Sequence, residues 1–260
     1  MSANKYENQI DINSYKSRYD TQISVESEWL AHNARERVNS IQMLLKRNSI
    51  EPETVLDLGC GTGETIRELQ NRNIGNRYVG IDYSEEAIKL HDDFSDNVHS
   101  FTADIVNDNF SLNQPFDVGL LVHVLQHLKD PDACLKNILK QVNISYLLVE
   151  VPMEDLILNK LPQYMGWREE NPARSLQFFN VKSLNQLLRE NGLEILDHRK
   201  YVPVFDFKTI RVLKTRYNWS NVRTVKKAIS AHFIPRLTGR IWANLYYGHY
   251  AVLCRKNETV

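Results

Sequence analysis

The chain has 260 residues, of which 42% are hydrophobic and 25% are charged, and its formal net charge is zero. This composition is typical of an ordinary globular protein and argues against a disordered or fibrous chain. No apolar run approaches the ~18 residues of a membrane-spanning helix, and three widely separated cysteines argue against a disulfide framework or a zinc cluster.

The first 50 residues are predicted to form an N-terminal arm and a helical cap. Residues 1–23 are polar, show no periodicity and lack the basic and apolar regions of a signal peptide, so we expect a cytoplasmic protein. Between Ser24 and Arg47, apolar residues recur at three- and four-residue steps, which predicts an amphipathic helix that packs on the core.

Residues 51–260 are predicted to form one domain. Between residues 53 and 152, short β-rich segments alternate with helical segments, which predicts a parallel sheet with helices on both faces. Ser84, and Asp130 followed by proline, are predicted helix N-caps. Two insertions interrupt the pattern, at residues 153–180 and 207–243, and the sequences LEILDHRKYVPVF and YYGHYAVLCRK predict two further strands.

A glycine-rich bend follows the first strand of this domain. In the sequence VLDLGCGTG, which ends at Gly63, the glycines allow positive φ and let a ligand approach the bare backbone. The second strand ends in Asp82, nineteen residues after Gly63, where a carboxylate can accept hydrogen bonds from the two hydroxyls of a ribose. The spacing predicts a nucleoside bound across the carboxyl ends of the strands.

Asp57 distinguishes this bend from the similar turn of NAD-binding domains. It stands two residues before the first glycine of a G-x-G-x-G pattern, where its charge would repel a pyrophosphate. S-adenosylmethionine carries an ammonium and a sulfonium but no phosphate, so a carboxylate can help to hold its charged amino-acid end. The acidic bend therefore favours this methyl donor as the cofactor.

Four ordered motifs carry a family resemblance. VLDLGCGTG, GIDYSEEAI, FTADI and FDVGLLVHVLQHLKDPDACL resemble the successive motifs of class I S-adenosylmethionine-dependent methyltransferases, over about residues 53–152. The resemblance implies an α/β fold with a doubly wound, mostly parallel, seven-stranded Rossmann-like sheet whose last strand is antiparallel. The N-terminal helical cap and an inserted basic helical segment would be added to this sheet.

The resemblance also implies roles for individual residues. The backbone of Gly59, Cys60 and Gly61 would contact the methionine part of the donor, and Asp82 would bind its ribose. Tyr83, Asp104 and Ile105 would surround the adenine, and the backbone near Val122 would contact the donor's amino group. Cys60 is a small residue between glycines, and no base is visible beside it, so a nucleophilic role is not favoured.

Side chains after the fourth and fifth strands are candidates for the reaction itself. His123 or His127 could act as the base when an alcohol acceptor must lose a proton, although either could equally be an ordinary hydrogen-bonded residue. Related quinone-pathway O-methyltransferases carry acidic residues at the positions of His123 and Gln126, as part of a possible metal site. This chain lacks both carboxylates, so the sequence predicts no metal site.

Four residues are candidates for binding the acceptor substrate. The amide of Gln126 could orient it, and Glu150 lies where acceptor pockets form in doubly wound sheets, although it could also cap a neighbouring helix. Tyr15 and Tyr19 resemble the aromatic N-terminal arm that covers the active site in many small-molecule methyltransferases. An arm that is only packed on the surface explains these tyrosines equally well.

The acceptor itself is predicted less directly. The sequences EVP and LQFFNVKSLNQLL look like those of small-molecule and sugar methyltransferases, which favours an oxygen or nitrogen of a small metabolite or saccharide. Residues 207–243 contain nine Lys or Arg and no Asp or Glu, so an RNA methyltransferase is an alternative, as is a non-catalytic module that only binds the donor. A phosphorylated acceptor, an acidic membrane or protein surface, or mere solvation could also explain this basic segment.

Overall fold

The structure is a computed structural model that describes residues 23–91, 93–107, 110, 112, 114–153, 175–216, 218–238 and 248–257. The predicted aromatic arm, with Tyr15 and Tyr19, lies outside the described residues, as does most of the 153–180 insertion. Tyr217 and Arg240 of the basic segment also lie outside them.

Seven strands form one sheet in the order β3-β2-β1-β4-β5-β7-β6. The first five are mutually parallel, whereas β7 is antiparallel to both β5 and β6. The strands are β1 (Thr54–Leu58), β2 (Arg77–Asp82), β3 (Val98–Thr102), β4 (Phe116–Val122), β5 (Ile144–Met153), β6 (Leu193–Tyr201) and β7 (Gly248–Lys256). This topology confirms the predicted fold class, including its antiparallel last strand.

The described helices precede or connect the strands. They are α1 (Ile23–Arg47), α2 (Glu64–Asn71), α3 (Glu85–Ile88), α4 (Pro131–Gln141), α5 (Val181–Glu190), α6 (Phe207–Arg216), α7 (Asn221–Ala228) and α8 (Ile234–Thr238). Two 3₁₀ turns, Lys89–His91 and Leu125–His127, and a π-helical turn, Ile229–Phe233, complete them. None of the described helices is both long and apolar enough to cross a bilayer.

Two apolar layers cover the two faces of the sheet. On one face, Val38 and Ile41 of α1 pack with Ile66 and Leu69 of α2 against β1, β4 and β7. On the other face, α4 and α5 bury their own apolar residues against the same strands. Since a fully buried aliphatic side chain contributes about 1.5–3 kcal/mol, the N-terminal helix α1 is an integral part of the fold.

Local signals in the sequence explain where several elements begin and end. Ser84 accepts a hydrogen bond from the Ala87 N–H, and Asp130 accepts one from the Ala133 N–H, which confirms both predicted N-caps. The predicted strand after residue 192 is shorter than expected, because β6 ends at Tyr201. Pro203 has no N–H to donate, so the pairing with β7 does not continue through it.

Candidate active site

The glycine-rich bend lies at the carboxyl end of β1, between the ends of β2 and β4. Gly59 and Gly61 have φ values of 81° and 54°, and a Cβ built on Gly61 would have no atom within 4 Å, so the bend faces open space there. The N–H groups of Gly59 and Cys60 both donate to the Ile81 carbonyl, at 2.7 and 3.0 Å. These two N–H groups are therefore already used within the protein.

Asp82 joins the bend to the second strand. Its Oδ2 accepts a hydrogen bond from the Gly61 N–H at 2.8 Å, and its Oδ1 accepts one from the Ser84 N–H at 2.9 Å. Burial raises the pKa of the Asp82 carboxyl, while these backbone hydrogen bonds and the charge of His91 act in the opposite direction. The structure thus places Asp82, the residue predicted to bind the ribose, directly beside the glycine-rich bend.

His91 is a supporting residue that sequence reasoning missed. Its Nε2 lies 2.9 Å from the Gly61 carbonyl oxygen, and its Nδ1 lies 2.7 Å from Ser100 Oγ, so the ring ties the bend to β3. The ring also fills the space beside Gly63, where an added Cβ would lie 2.9 Å from His91 Nε2 and 2.6 Å from Phe94 Cζ. No spacing rule points to this histidine, because it contacts the bend from the 3₁₀ turn after α3.

Asp57 is buried within β1 and is only 3% exposed. Burial raises the pKa of its carboxyl to about 7, while the positive charge of Arg37 lowers it and the negative charge of Asp82 raises it. Its Oδ2 has no hydrogen-bond partner among the described residues. A cationic ligand would therefore stabilise the ionised form of this side chain.

Arg37 extends the site onto helix α1. Its positive charge lowers the pKa values of Asp57 and of His123, which follows β4. The same charge opposes the rise in the pKa of Tyr201, at the end of β6. Its Nε is buried and has no hydrogen-bond partner in the described part of the chain. Sequence reasoning missed Arg37, although a charged residue one helical turn from the apolar Ala34 and Ile41 is a recognisable signal.

The residues predicted to surround an adenine lie at the ends of β2 and β3. Tyr83 follows Asp82 and is 49% exposed, which leaves its ring accessible. Asp104 accepts a hydrogen bond from the Val106 N–H at 2.8 Å, which forms a tight turn, and the Ile105 carbonyl accepts one from Asn137 at 3.0 Å. The structure therefore brings this predicted group to the same edge of the sheet as Asp82.

Three side chains form a second centre, which we call the His–Glu–His cluster: His123, Glu150 and His249. His123 Nε2 lies 2.9 Å from His249 Nδ1, and Glu150 Oε1 lies 3.4 Å from the first nitrogen and 3.1 Å from the second. The hydroxyl of Tyr201 donates to the same carboxylate oxygen at 2.7 Å. His249 and Tyr201 were missed from sequence because β7 and β6 bring them here from distant parts of the chain.

Charge and burial define the protonation of this cluster. Glu150 is fully buried; burial alone would raise its pKa, but hydrogen bonds and charge from His123 and His249 lower it below its usual range. For His123, burial and the charges of Arg37 and His249 lower the pKa to about 3, despite the opposing effect of Glu150. The cluster therefore contains an ionised carboxylate beside a neutral His123 at neutral pH.

The turn after β4 places the other predicted residues. Val122 pairs with Glu150 in the sheet, and His123 follows with a positive φ of 58°. Gln126 is buried, and its Oε1 has no partner among the described residues, so it could accept a hydrogen bond from a ligand. His127 ends the 3₁₀ turn and does not belong to the His–Glu–His cluster.

Two other features can be separated from this site. Burial raises the pKa of the Cys60 thiol above its usual range, with a further contribution from Asp57, so the thiol stays protonated and is not a nucleophile. A cleft of about 300 Å³ lies between α1, α2 and α6, lined by side chains that include Arg35, Glu64 and Lys208. It contains none of the predicted site residues.

A family model described as a methyltransferase domain matches residues 30–198. This range includes the glycine-rich bend, Asp82 and two members of the His–Glu–His cluster. None of the curated proteins resembles the sequence closely enough to count as a relative.

Solved structures show the same fold. Magnesium protoporphyrin IX methyltransferase from Synechocystis PCC 6803, with bound SAH, has a TM-score of 0.57 at 15% identity over 98% of each chain. A protein from Thermotoga maritima, described as a SAM-dependent methyltransferase and possible histamine N-methyltransferase, has a TM-score of 0.54 at 16% identity, over 95% of this chain and 96% of its own. The cyclase SpnF has a TM-score of 0.52 at 19% identity, over 78% and 75% of the two chains.

Proposed function

The chain belongs to the methyltransferase-domain family, and on this basis we propose that it transfers a methyl group from S-adenosylmethionine to an oxygen or nitrogen of a small metabolite or saccharide. When bound, the donor supplies a methyl group that its sulfonium activates for in-line displacement. The residues of the chain hold the donor, orient the acceptor and keep water away from the reacting atoms.

The observation that carries this proposal is the buried carboxylate of Asp57 beside the glycine-rich bend. Its Oδ2 has no hydrogen-bond partner among the described residues, and burial of the carboxylate is costly, which its raised pKa of about 7 reflects. The amino-acid end of the donor has both an ammonium and a carboxylate. Asp57 and the bend carbonyls suit the ammonium, while Arg37, whose Nε is buried and lacks a described partner, suits the carboxylate.

The nucleoside end of the donor would lie across the ends of β2 and β3. Asp82 keeps lone pairs beyond those used by Gly61 and Ser84, so its carboxylate can also accept the ribose hydroxyls. Tyr83, Asp104 and Ile105 would contact the adenine. The backbone near Val122, at the end of β4, would contact the donor's amino group.

The acceptor would lie beside the turn that follows β4. Gln126 offers an acceptor oxygen that has no partner among the described residues, and Glu150 orients His123 and His249. Because only one proton fits between the facing nitrogens of these two histidines, the pair can accept a proton at one ring and share it with the other. Burial keeps the pKa of His123 at about 3 even with Glu150 beside it, so His123 is a weak base, and His127 is the alternative base.

A transfer assay tests this proposal. The protein is incubated with methyl-labelled S-adenosylmethionine and with fractionated cell metabolites, saccharides or total RNA as separate acceptor pools. We expect label in a metabolite or saccharide fraction, with suppression by excess S-adenosylhomocysteine (SAH). Label in RNA alone would favour the RNA methyltransferase alternative, and donor binding without transfer to any pool would favour a non-catalytic module.

A further inference from the structure

The His–Glu–His cluster has the composition of a transition-metal site. Imidazole nitrogens and a carboxylate oxygen are the ligands that Zn²⁺ and similar divalent ions bind in proteins. The three atoms, His123 Nε2, His249 Nδ1 and Glu150 Oε1, all lie within 4.8 Å of one another. They converge although they belong to the turn after β4, to β7 and to β5.

The distances within the cluster fit one shared ion. Ligand atoms ~2.0–2.1 Å from one ion, in tetrahedral or octahedral arrangement, lie roughly 2.9–3.4 Å apart. The observed separations are 2.9, 3.1 and 3.4 Å. One proton lies between the facing nitrogens, so only the ring that donates it needs to change tautomer for both nitrogens to present lone pairs.

The surroundings of Glu150 add an independent observation. Its Oε2 is fully buried and has no hydrogen-bond partner among the described residues. The Tyr201 hydroxyl holds Oε1 in place at 2.7 Å, as the supporting partners of metal-bound carboxylates do. A cation bound at Oε1 would place a positive charge beside this buried carboxylate.

We propose that His123, Glu150 and His249 bind one divalent transition-metal ion of the Zn²⁺ class. Three protein ligands leave a coordination position for a fourth, and the cluster opens to solvent at His123, whose side chain is 17% exposed. If the proposed function holds, this position takes an oxygen of the acceptor, which narrows the acceptor to molecules with a hydroxyl or phenol group. His123 is then a metal ligand and not a base.

Metal titration tests this inference without an acceptor. Tag-free protein, stripped of metals, is titrated with Co²⁺ and Zn²⁺, and SAH binding is measured by calorimetry in the same samples. We expect one ion per chain and Co²⁺ absorption bands without a thiolate charge-transfer band. His249→Ala and Glu150→Gln should each weaken binding by about 100-fold or more.

Matched controls keep the outcomes distinct. His198→Ala, at an exposed position of β6, should bind the ion as the wild type does. SAH binding shows that each variant is folded. The metal site is overturned if the wild-type protein binds SAH but neither Co²⁺ nor Zn²⁺. It is also overturned if His249→Ala binds the ion as tightly as the wild type does, and both results leave the proposed function intact. A folded wild-type protein that does not bind SAH overturns the proposed function instead.

A different part of the chain carries a second inference, which concerns the helical stretch of residues 221–238. Helices usually turn their apolar face to the core, but here the apolar side chains at three- and four-residue spacing are exposed. They are Val222, Val225, Ile229, Phe233 and Leu237. The inner side is made by residues such as Thr224 and His232, whose Nδ1 lies 2.7 Å from the Phe205 carbonyl oxygen.

The basic residues beside this exposed apolar face indicate which kind of partner it binds. Arg223, Lys226 and Arg236 are exposed along it, and residues 207–243 contain no Asp or Glu. A second copy of the chain would bring like charges together, and aliphatic side chains have no role on an RNA backbone. An anionic bilayer surface accepts both the apolar side chains and the basic ones.

We infer that the helical stretch 221–238 lies on anionic lipid membranes. Flotation with vesicles tests this: the protein should float with phosphatidylcholine vesicles that contain phosphatidylglycerol, and stay behind with pure phosphatidylcholine or at high salt. The double variant I229S/L237S should lose binding by roughly tenfold or more, since it removes two membrane-facing side chains. Met43→Ser, which changes an exposed apolar residue on α1, is the matched control and should float normally.

Three results would overturn this second inference. One is a wild-type protein that does not float with the anionic vesicles at low salt. Another is a double variant that floats as well as the wild type. The third is single-stranded RNA that binds this stretch and displaces the vesicles, which would assign the basic surface to nucleic acid.

Discussion

Asp57→Asn is expected to weaken binding of S-adenosylmethionine by roughly 100-fold while raising the melting temperature of the ligand-free protein. The Asp57 carboxyl has a pKa of about 7 in the folded chain because of burial, compared with an ordinary value of 3.8. Each unit of such a shift corresponds to about 1.4 kcal/mol, so the ionised side chain destabilises the fold by a few kcal/mol. Asparagine removes this charge and also the group that the donor's ammonium needs.

The pH dependence has a definite sign. Because the folded-state pKa is raised, the folded chain holds a proton that the unfolded chain loses between about pH 4 and pH 7, so this contribution to stability falls as pH rises through that range. The stability of Asp57→Asn relative to the wild type should therefore increase by roughly 2–3 kcal/mol between pH 5 and pH 8. Thermal unfolding scans at several pH values measure it.

Asp117→Asn provides a control of opposite sign. Although burial alone would raise the pKa of the Asp117 carboxyl, hydrogen bonds from Thr54 and Glu53 lower it. The ionised Asp117 side chain therefore stabilises the folded chain at neutral pH, and this contribution is lost as pH falls through the lowered pKa. Asp117→Asn should therefore be less stable than the wild type at pH 7. An Asp57→Asn variant that melts below the wild type at pH 8 would contradict the conclusion that burial of the Asp57 charge destabilises the fold.

Asp82→Ala is expected to abolish donor binding and to destabilise the ligand-free protein. The substitution leaves the N–H groups of Gly61 and Ser84 without their partner, and each buried unpaired donor costs about 1–3 kcal/mol. It also removes the acceptor for the ribose hydroxyls, so we expect affinity for SAH to fall by about 100-fold or more. Calorimetry and thermal unfolding measure the two effects separately.

Two further variants serve as controls for this prediction. Asp82→Asn keeps an acceptor oxygen and should retain most of the stability while still losing donor affinity. Asp96→Ala, at an exposed position in the same region, should change neither property. If Asp82→Ala bound SAH as tightly as the wild type, the ribose would not lie at the end of β2.

The sequence predicted that the glycine-rich bend and Asp82 lie side by side, because both are built locally. The glycine-rich bend and Asp82 each follow directly from a strand, and parallel strands align their carboxyl ends whatever the details of packing. Helix caps at Ser84 and Asp130 were predictable for the same reason, since each depends on a few adjacent residues. The antiparallel position of β7 was implied only by the family resemblance.

The His–Glu–His cluster shows what the sequence did not provide. Glu150 and His123 were predicted singly, but their partner His249 is 99 residues from the first and 126 from the second. Tyr201 reaches the same carboxylate because β6 pairs with β7 at the edge of the sheet. Contacts between strands so distant in sequence leave no local pattern, so only the folded arrangement reveals them.

The two halves of the site bear differently on function. The donor half follows from the family, whereas the fold by itself does not fix the reaction, since the cyclase SpnF has a similar fold. The proposed acceptor half, around the His–Glu–His cluster and Gln126, is therefore where we expect the identity of the acceptor to be decided. The proposed metal site would restrict that choice to oxygen acceptors.

The most direct test of the whole account is calorimetric titration of the folded protein with SAH and S-adenosylmethionine, beside NAD as a control nucleotide. We predict one binding site per chain for each sulfur nucleoside and no heat of binding from NAD, whose pyrophosphate the charge of Asp57 would repel. A folded protein that binds neither sulfur nucleoside, or that binds NAD in their place, would contradict the account.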